Sequence, residues 1–214
     1  MKKSKVLLTL ACAVLLVAAS VMGTLAYLTS HDKVTNTFSV GQVSIKLDEA
    51  AANSDGTLVE GAARVHANSY KLMPGHTYNK DPMVTVLKGS EESYIKMTVT
   101  FDKAAELDAI FAPNGADMTS IFEGYDATKW IDKGNTENTT ANTRTCEFWY
   151  KKTVPAPDAD VALDALFDKI KVPGAINNKQ LKTIEDMTIT VNAYAIQADG
   201  FDTADAAWAA YPVN

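Results

Sequence analysis

The stretch TFSVGQVSIKLD, residues 37–48, is where the folded part of this chain is expected to begin. Apolar and polar side chains alternate along it, which is the pattern of a β-strand with one buried face. The alternation shifts by one residue at Gly41-Gln42, as it does at a β-bulge, where glycine gives the backbone its freedom. We therefore expect a strand here, and the later strands are expected to form the sheet that it joins.

An export signal precedes this strand. A start with three lysines is followed by an apolar run over residues 6–22, and the GTLA sequence at 23–26 supplies the small residues that a signal peptidase accepts. This pattern predicts cleavage between Ala26 and Tyr27. The apolar run also reaches the lower limit for a membrane span, roughly 17–25 residues. An uncleaved membrane anchor is therefore the alternative interpretation.

Composition restricts the classes of function. Residues 27–214 hold 17 basic and 26 acidic side chains, because three of the 20 basic residues of the full chain lie in the signal. The resulting net charge of −9 disfavours binding to nucleic acid or anionic lipid. Of two cysteines only Cys146 follows the predicted cleavage point, so no disulfide can form within the mature chain. On a predicted strand, Cys146 is expected to be a small core residue.

The rest of the chain alternates between strand patterns and turns, with few helical segments. Short helices are predicted at 102–112, capped by Asp102, and at 178–183 and 203–211. The order of elements predicts an all-β protein, an antiparallel β-sandwich with short helical insertions, in one domain over residues 37–214. The strongest strands are expected at 83–87, 93–101, 143–154 and 187–196, and the first two are expected to pair as a hairpin.

Catalytic motifs are not found in the sequence. The three histidines, His31, His66 and His76, lack the spacing of a zinc protease helix. His66 and His76 meeting across a hairpin, with Asp81 or Glu60 as a third ligand, is the metal-binding alternative. No nucleophile elbow, phosphate loop or dinucleotide fingerprint is present. We expect no catalytic residues, no metal site and no cofactor.

Several blocks of sequence resemble a known family. The junction GTLAYLT at 23–29 and the block NTFSVG at 36–41 look like the start of proteins processed by the SipW-type signal peptidase. The block AIQADGF at 195–201 is similar to one in clostridial members, as are the shorter YNKDP, FWYK and LFDK blocks. Together these blocks resemble the TasA/camelysin-like family over nearly the whole chain.

The resemblance implies a jelly-roll-like antiparallel β-sandwich and a secreted subunit of biofilm matrix filaments. Such subunits join by donor-strand complementation, in which the N-terminal segment of one subunit completes the sheet of its neighbour. A frayed terminus or a first strand of the chain's own sheet is the alternative for this segment. The predicted donor segment covers residues 27–36, namely Tyr27, Leu28, Thr29, Ser30, His31, Asp32, Lys33, Val34, Thr35 and Asn36.

The leading hypothesis is a non-enzymatic, self-assembling subunit in the extracellular matrix or on the cell surface of a Gram-positive-type bacterium. Its expected partners are other copies of itself, the SipW-type peptidase and an accessory matrix or anchoring protein, with neither nucleic acid nor a small-molecule substrate. One alternative is a camelysin-like secreted metallopeptidase. The other is a monomeric surface binding module that uses aromatic residues, with Tyr94, Trp130, Trp149 and Tyr150 as candidates.

Overall fold

The computed structural model describes residues 5–7, 9–15, 41–111 and 121–212. The chain divides into two compact units, Met1–Val40 and Gly41–Asn214. In the first unit residues 5–7 and 9–15 are helical, and several large apolar side chains there are exposed. No helix within the described ranges is long and apolar enough to cross a membrane. The predicted cleavage site at Ala26 and Tyr27 and the predicted donor segment, residues 27–36, lie outside the described residues.

The second unit is built from short and medium strands with three short helices among its described residues. In chain order the elements are β1 Ile45–Asp48, β2 Thr77–Asn79, β3 Met83–Val86, β4 Ser90–Asp102, α1 Ala104–Phe111, β5 Phe122–Glu123, β6 Trp130–Asn138, β7 Thr143–Tyr150, β8 Val154–Ala156, β9 Val161–Ala162, β10 Lys169–Lys171, α2 Asn178–Thr183, β11 Ile189–Gln197 and α3 Ala204–Ala210. The longest strand is β4, with 13 residues.

These strands form three sheets that share one core. The largest has the order β11-β4-β7-β6, with β8 pairing against the start of β4. The others have the orders β1-β3-β9 and β2-β10-β5. Every pairing between the described strands is antiparallel. The predicted fold class, an all-β antiparallel sandwich with short helical insertions, is confirmed.

The core is organised around the inner face of β4. Four alternate side chains of this strand are at most 1 % exposed, as the period of two in the sequence predicts: Ile95, Met97, Val99 and Phe101. Aromatic rings from loops and short strands complete the core, and the rings of Phe122 and Phe167 stack with their centroids 4.2 Å apart. Aromatic residues bury large areas, so these rings allow very short strands to be held in place.

The predicted hairpin between residues 83–87 and 93–101 is wrong. β3 pairs with β1 and β9, whereas β4 pairs with β11, β7 and β8. Between them the chain passes from one sheet to another through a turn in which Gly89 has a φ of +82° and donates its N–H to the Ala156 carbonyl. The two long edges of β4 are occupied by β11 and β7, which leaves no room for β3.

Within the described residues, the first predicted strand is shorter than its pattern, and its residues 37–40 lie outside them. β1 begins at Ile45, and residues 41–44 have no strand conformation. Instead the carbonyls of Gln42 and Ser44 accept hydrogen bonds from the N–H groups of Glu91 and Leu87. The chain before β1 is therefore bound to the turn between β3 and β4.

The second half of the fold follows the sequence patterns closely. α1, α2, α3 and β11 all lie where they are predicted, whereas the predicted strand 143–154 is interrupted between Tyr150 and Val154. The predicted cap of α1 is wrong. Asp102 lies in β4 and accepts hydrogen bonds from Thr188, and the carbonyl and side-chain oxygens of Asn142 bind the first N–H groups of the helix. Asn142, which is distant in the sequence, therefore caps α1 in place of Asp102.

Candidate functional site

The two outer strands of the large sheet differ in how they meet solvent. Eight of the nine residues of β6 are exposed, and only its first residue, Trp130, is buried. The strand carries the charged residues Asp132, Lys133 and Glu137, and its register with β7 shifts between Asp132 and Asn135. Charges and bulges are the usual devices that prevent another chain from pairing with an edge. β6 is therefore a protected edge.

β11 has none of these protections. Its nine residues, ITVNAYAIQ, include no charged residue, no glycine and no proline. The strand pairs with β4 without a register shift, from Ile189 opposite Phe101 to Gln197 opposite Ser93. Among the described strands, β4 is its only hydrogen-bonded neighbour. The opposite side of β11 thus presents a regular row of N–H and C=O groups, which is a template for an additional strand.

The inner face of β11 is incompletely covered. Its alternate apolar side chains pack against the core but remain half-buried: Ile189, Val191, Ala193 and Ala195. β1 approaches β11 without pairing with it, and its inward residues Ile45 and Leu47 are also half-buried. This side of the molecule is therefore apolar and partly open. A strand added beside β11 would remove further apolar surface from water, which is favourable.

Part of the outer face of the large sheet is covered by the helix α3. Trp208 of this helix lies over β4 and β11, with the Lys96 ammonium 4.7 Å from its ring centroid and 5.5 Å from that of Tyr194. Lys133 lies 4.0 Å from the ring centroid of Trp149, which is 7 % exposed. Such contacts are typical cation–π pairs.

The aromatic residues proposed for ligand binding are therefore largely used in packing. Trp130 is fully buried, and its ring centroid lies 5.0 Å from that of Tyr150, whose hydroxyl donates to Asp164. Burial, together with this hydrogen bond, raises the pKa of Tyr150 to about 12. This arrangement counts against a sugar-binding platform built on Trp130 and Trp149.

A cluster of charged residues at the end of β1 is a feature that the sequence patterns did not predict. The Arg64 guanidinium lies 2.5 Å from Asp48 Oδ1 and 2.8 Å from Asp81 Oδ2, and it also donates to the backbone carbonyls of both residues. Burial disfavours the charged form of Asp48, but hydrogen bonds from Lys46 and Arg64 outweigh it and lower the pKa of this carboxyl. Arg64 therefore ties a long loop to β1 and to the start of β3.

A second group lies next to this cluster. Lys80 Nζ is 2.6 Å from Glu49 Oε2, and Asn68 Nδ2 donates to Glu49 Oε1 at 3.0 Å. The Lys80 and Glu49 side chains are 10 % and 7 % exposed. Asn68 and Lys80 also line a cavity of about 830 Å³ whose walls include Tyr70, Leu72 and other apolar residues. Sequence patterns give no signal for this group, because its three members come from separate loop positions.

The histidines considered as metal ligands have other surroundings. His66 Nδ1 lies 3.0 Å from the Leu47 carbonyl oxygen, and the ring of His76 packs near that of Tyr78. Asp81, which with Glu60 is one of the two candidates for the third ligand, binds Arg64 and the Ala50 N–H. In the described part of the chain, no group of three or more His, Cys, Asp or Glu side chains is placed to hold a metal ion.

Comparison with known proteins gives no assignment. No family model, no curated protein and no solved structure matches this chain. The unprotected strand β11, its half-buried inner face and the bridged Glu49 group are therefore the features from which a function can be proposed.

Proposed function

We propose that the protein is a secreted structural subunit that self-assembles into filaments of the biofilm matrix or cell surface. Assembly occurs by donor-strand complementation, in which the N-terminus of one mature subunit pairs with β11 of the next. The observation that carries this proposal is β11 itself, a nine-residue edge strand without charge, glycine, proline or bulge. An edge of this kind is normally avoided in proteins that remain monomeric.

The length and chemistry of the predicted donor segment suit this edge. Residues 27–36 number ten, against nine in β11, and Tyr27, Leu28 and Val34 provide apolar side chains. Backbone hydrogen bonds would supply affinity, and apolar contacts with the half-buried inner face would supply specificity. Cleavage after Ala26 would free the segment to reach another subunit, because a segment still attached to a membrane anchor has no free end.

The charge of the mature chain suits a subunit that is exported before it assembles. A net charge of −9 keeps the chains apart in solution through mutual repulsion. Strand pairing with apolar contacts to the half-buried inner face then selects the correct contact. The partners in this proposal are other copies of the chain, a SipW-type signal peptidase and an accessory matrix or anchoring protein.

The test compares two purified chains, residues 27–214 and residues 37–214, by negative-stain electron microscopy. We expect both to fold with the same far-UV circular dichroism and only the longer chain to form filaments. A synthetic peptide of residues 27–36 is expected to bind the shorter chain, and a scrambled peptide is the control. If residues 37–214 formed filaments equally well, residues 27–36 would not be the donor strand.

A further inference from the structure

The Glu49 carboxylate bridges an amine and an amide. One of its oxygens lies 2.6 Å from Lys80 Nζ, and the other accepts from Asn68 Nδ2 at 3.0 Å. Glu49 is 5 % exposed and Lys80 is 8 % exposed, so this contact is largely removed from water. The lysine nitrogen and the asparagine amide are therefore held by the same carboxylate, one on each of its oxygens.

The Asn68 amide is held and polarised by the backbone. Its Oδ1 accepts a hydrogen bond from the Ala52 N–H at 2.8 Å, and its Nδ2 donates a second bond to the Ala50 carbonyl at 2.9 Å. A hydrogen-bond donor to the carbonyl oxygen stabilises the negative charge that develops on this oxygen when a nucleophile attacks the amide carbon. An ion pair between Lys80 and Glu49 alone would need no such amide.

We propose that Lys80 and Asn68 form an intramolecular isopeptide bond, with Glu49 as the acid–base residue. Glu49 takes a proton from the Lys80 ammonium, and the neutral amine attacks Cγ of Asn68. The Nζ–Cγ bond forms, Glu49 returns its proton to Nδ2, and the Cγ–Nδ2 bond breaks to release ammonia. The second proton that Nζ loses is taken up by this ammonia, which departs as ammonium. No oxidant, cofactor or second substrate is required.

The surroundings meet the needs of this reaction. Proximity of the reacting groups supplies much of the acceleration in such intramolecular steps. The backbone positions of Glu49 and Lys80 are fixed by hydrogen bonds to Val65 and to the Asp168 carbonyl, respectively. The ring of Tyr70 stands edge-on to Tyr78, with centroids 5.5 Å apart, and burial followed by the charge of Glu49 raises the pKa of the Tyr70 hydroxyl. The adjoining cavity gives ammonia a way out.

The bond would close the loop between Asn68 and Lys80 covalently. This loop contains β2 and leads into β3, so the bond would close residues 68–80 into a covalent ring just before β3. A cross-link reduces the conformational freedom of the unfolded chain. The mature chain has only one cysteine and so no internal disulfide, which makes a second type of cross-link useful. The cross-link would form within one chain, whether or not filaments assemble.

The test is mass spectrometry of the purified, folded protein. We expect an intact mass lower than the calculated mass by one ammonia, and a tryptic product in which residues 65–71 are joined to residues 72–88. The joined product distinguishes the isopeptide from a succinimide at an asparagine, which also loses ammonia but links no second peptide. Recovery of separate peptides 65–71 and 72–80 from the folded wild-type chain would overturn the proposal.

Three variants sharpen this test. Lys80→Arg keeps the ion pair but lacks a primary amine, and Glu49→Gln keeps the shape of the side chain but takes no proton. Both are expected to show the full calculated mass, with circular dichroism confirming that they fold. Lys182→Arg, which changes a lysine in an exposed pair with Glu185, is the matched control and is expected to retain the cross-link. Cross-linking in Glu49→Gln at the wild-type level would contradict the assigned role of Glu49.

Discussion

Asp48 shows how one residue connects the sequence to the stability of this fold. Its side chain is 4 % exposed and lies 2.7 Å from Lys46 Nζ and 2.5 Å from Arg64 Nε. Burying a carboxylate is costly, and it is tolerated here because two cations compensate the charge. Loss of the charge would leave Arg64, which is itself half-buried, with Asp81 as its only acidic partner among the described residues.

The substitution Asp48→Asn is expected to change how the stability of the folded chain depends on pH. The pKa of Asp48 is lowered in the folded chain, so its contribution to stability is present above its unfolded pKa, about 3.9, and is lost as pH falls through the folded value. We expect the variant to be less stable than wild type by about 2 kcal/mol at pH 7. The difference should shrink as pH falls below about 4. Urea unfolding at several pH values measures this difference.

Asp158→Asn is the control for this prediction. Asp158 is exposed and makes no ion pair among the described residues, so its replacement should leave the pH profile parallel to that of wild type. A constant difference between wild type and Asp48→Asn from pH 7 to pH 3 would show that the charge of Asp48 has no part in stability.

Individual contacts were the least predictable level. Asp102 has the residue type and position of a helix cap, and its carboxylate instead binds Thr188 because β11 brings that residue alongside β4. Asn142 caps α1 from 37 residues away in sequence. The bridge of Glu49, Lys80 and Asn68 is likewise formed by loops. Local sequence propensity does not indicate which residue from a distant part of the chain will make such a contact.

At the scale of elements, strands were predictable and their partners were not. Alternation identified β4 and β11, and the inner residues of β4 are buried as predicted. The same pattern led to a hairpin between β3 and β4 that does not form. Period-two alternation defines the faces of a strand, but which edge meets which neighbour depends on competition among all strands. For that reason the unpaired edge of β11 could be identified only from the strand order of the folded structure.

The second prediction tests this edge with Val191→Lys. Val191 is half-buried on the inner face of β11, and an inward-pointing charge is a natural device against edge pairing. We expect filament formation to fall at least about tenfold, which corresponds to a loss of about 1.4 kcal/mol in association. Light scattering and electron microscopy measure assembly, and thermal unfolding confirms that the monomer remains folded.

Thr136→Lys on β6 is the matched control. It adds the same charge to the opposite edge of the same sheet, where the strand is already exposed, charged and bulged. This variant should assemble like wild type. Equal loss of filaments in both variants would point to a general effect of charge and against β11 as the acceptor.

At the scale of the whole molecule, the strand count and turns predicted the sandwich correctly. The physical reason is that alternating strands with few helical segments can bury their apolar faces only against other strands. The proposed assembly could not be predicted from strand count and turns, because it depends on apolar surface that the folded single chain leaves partly uncovered. The half-buried residues along β11 and β1 form that surface, and it is the surface that the proposed filament contact uses.

Donor-strand assembly along β11 can be seen directly by electron cryomicroscopy of filaments secreted by the native host, with the N-terminal residue identified by mass spectrometry. We expect chains that begin at Tyr27 and a strand formed by residues 27–36 of one subunit paired along β11 of its neighbour. Filaments in which β11 of every subunit remains unpaired, or secreted chains that begin at Tyr27 and stay monomeric under all assembly conditions, would contradict this expectation.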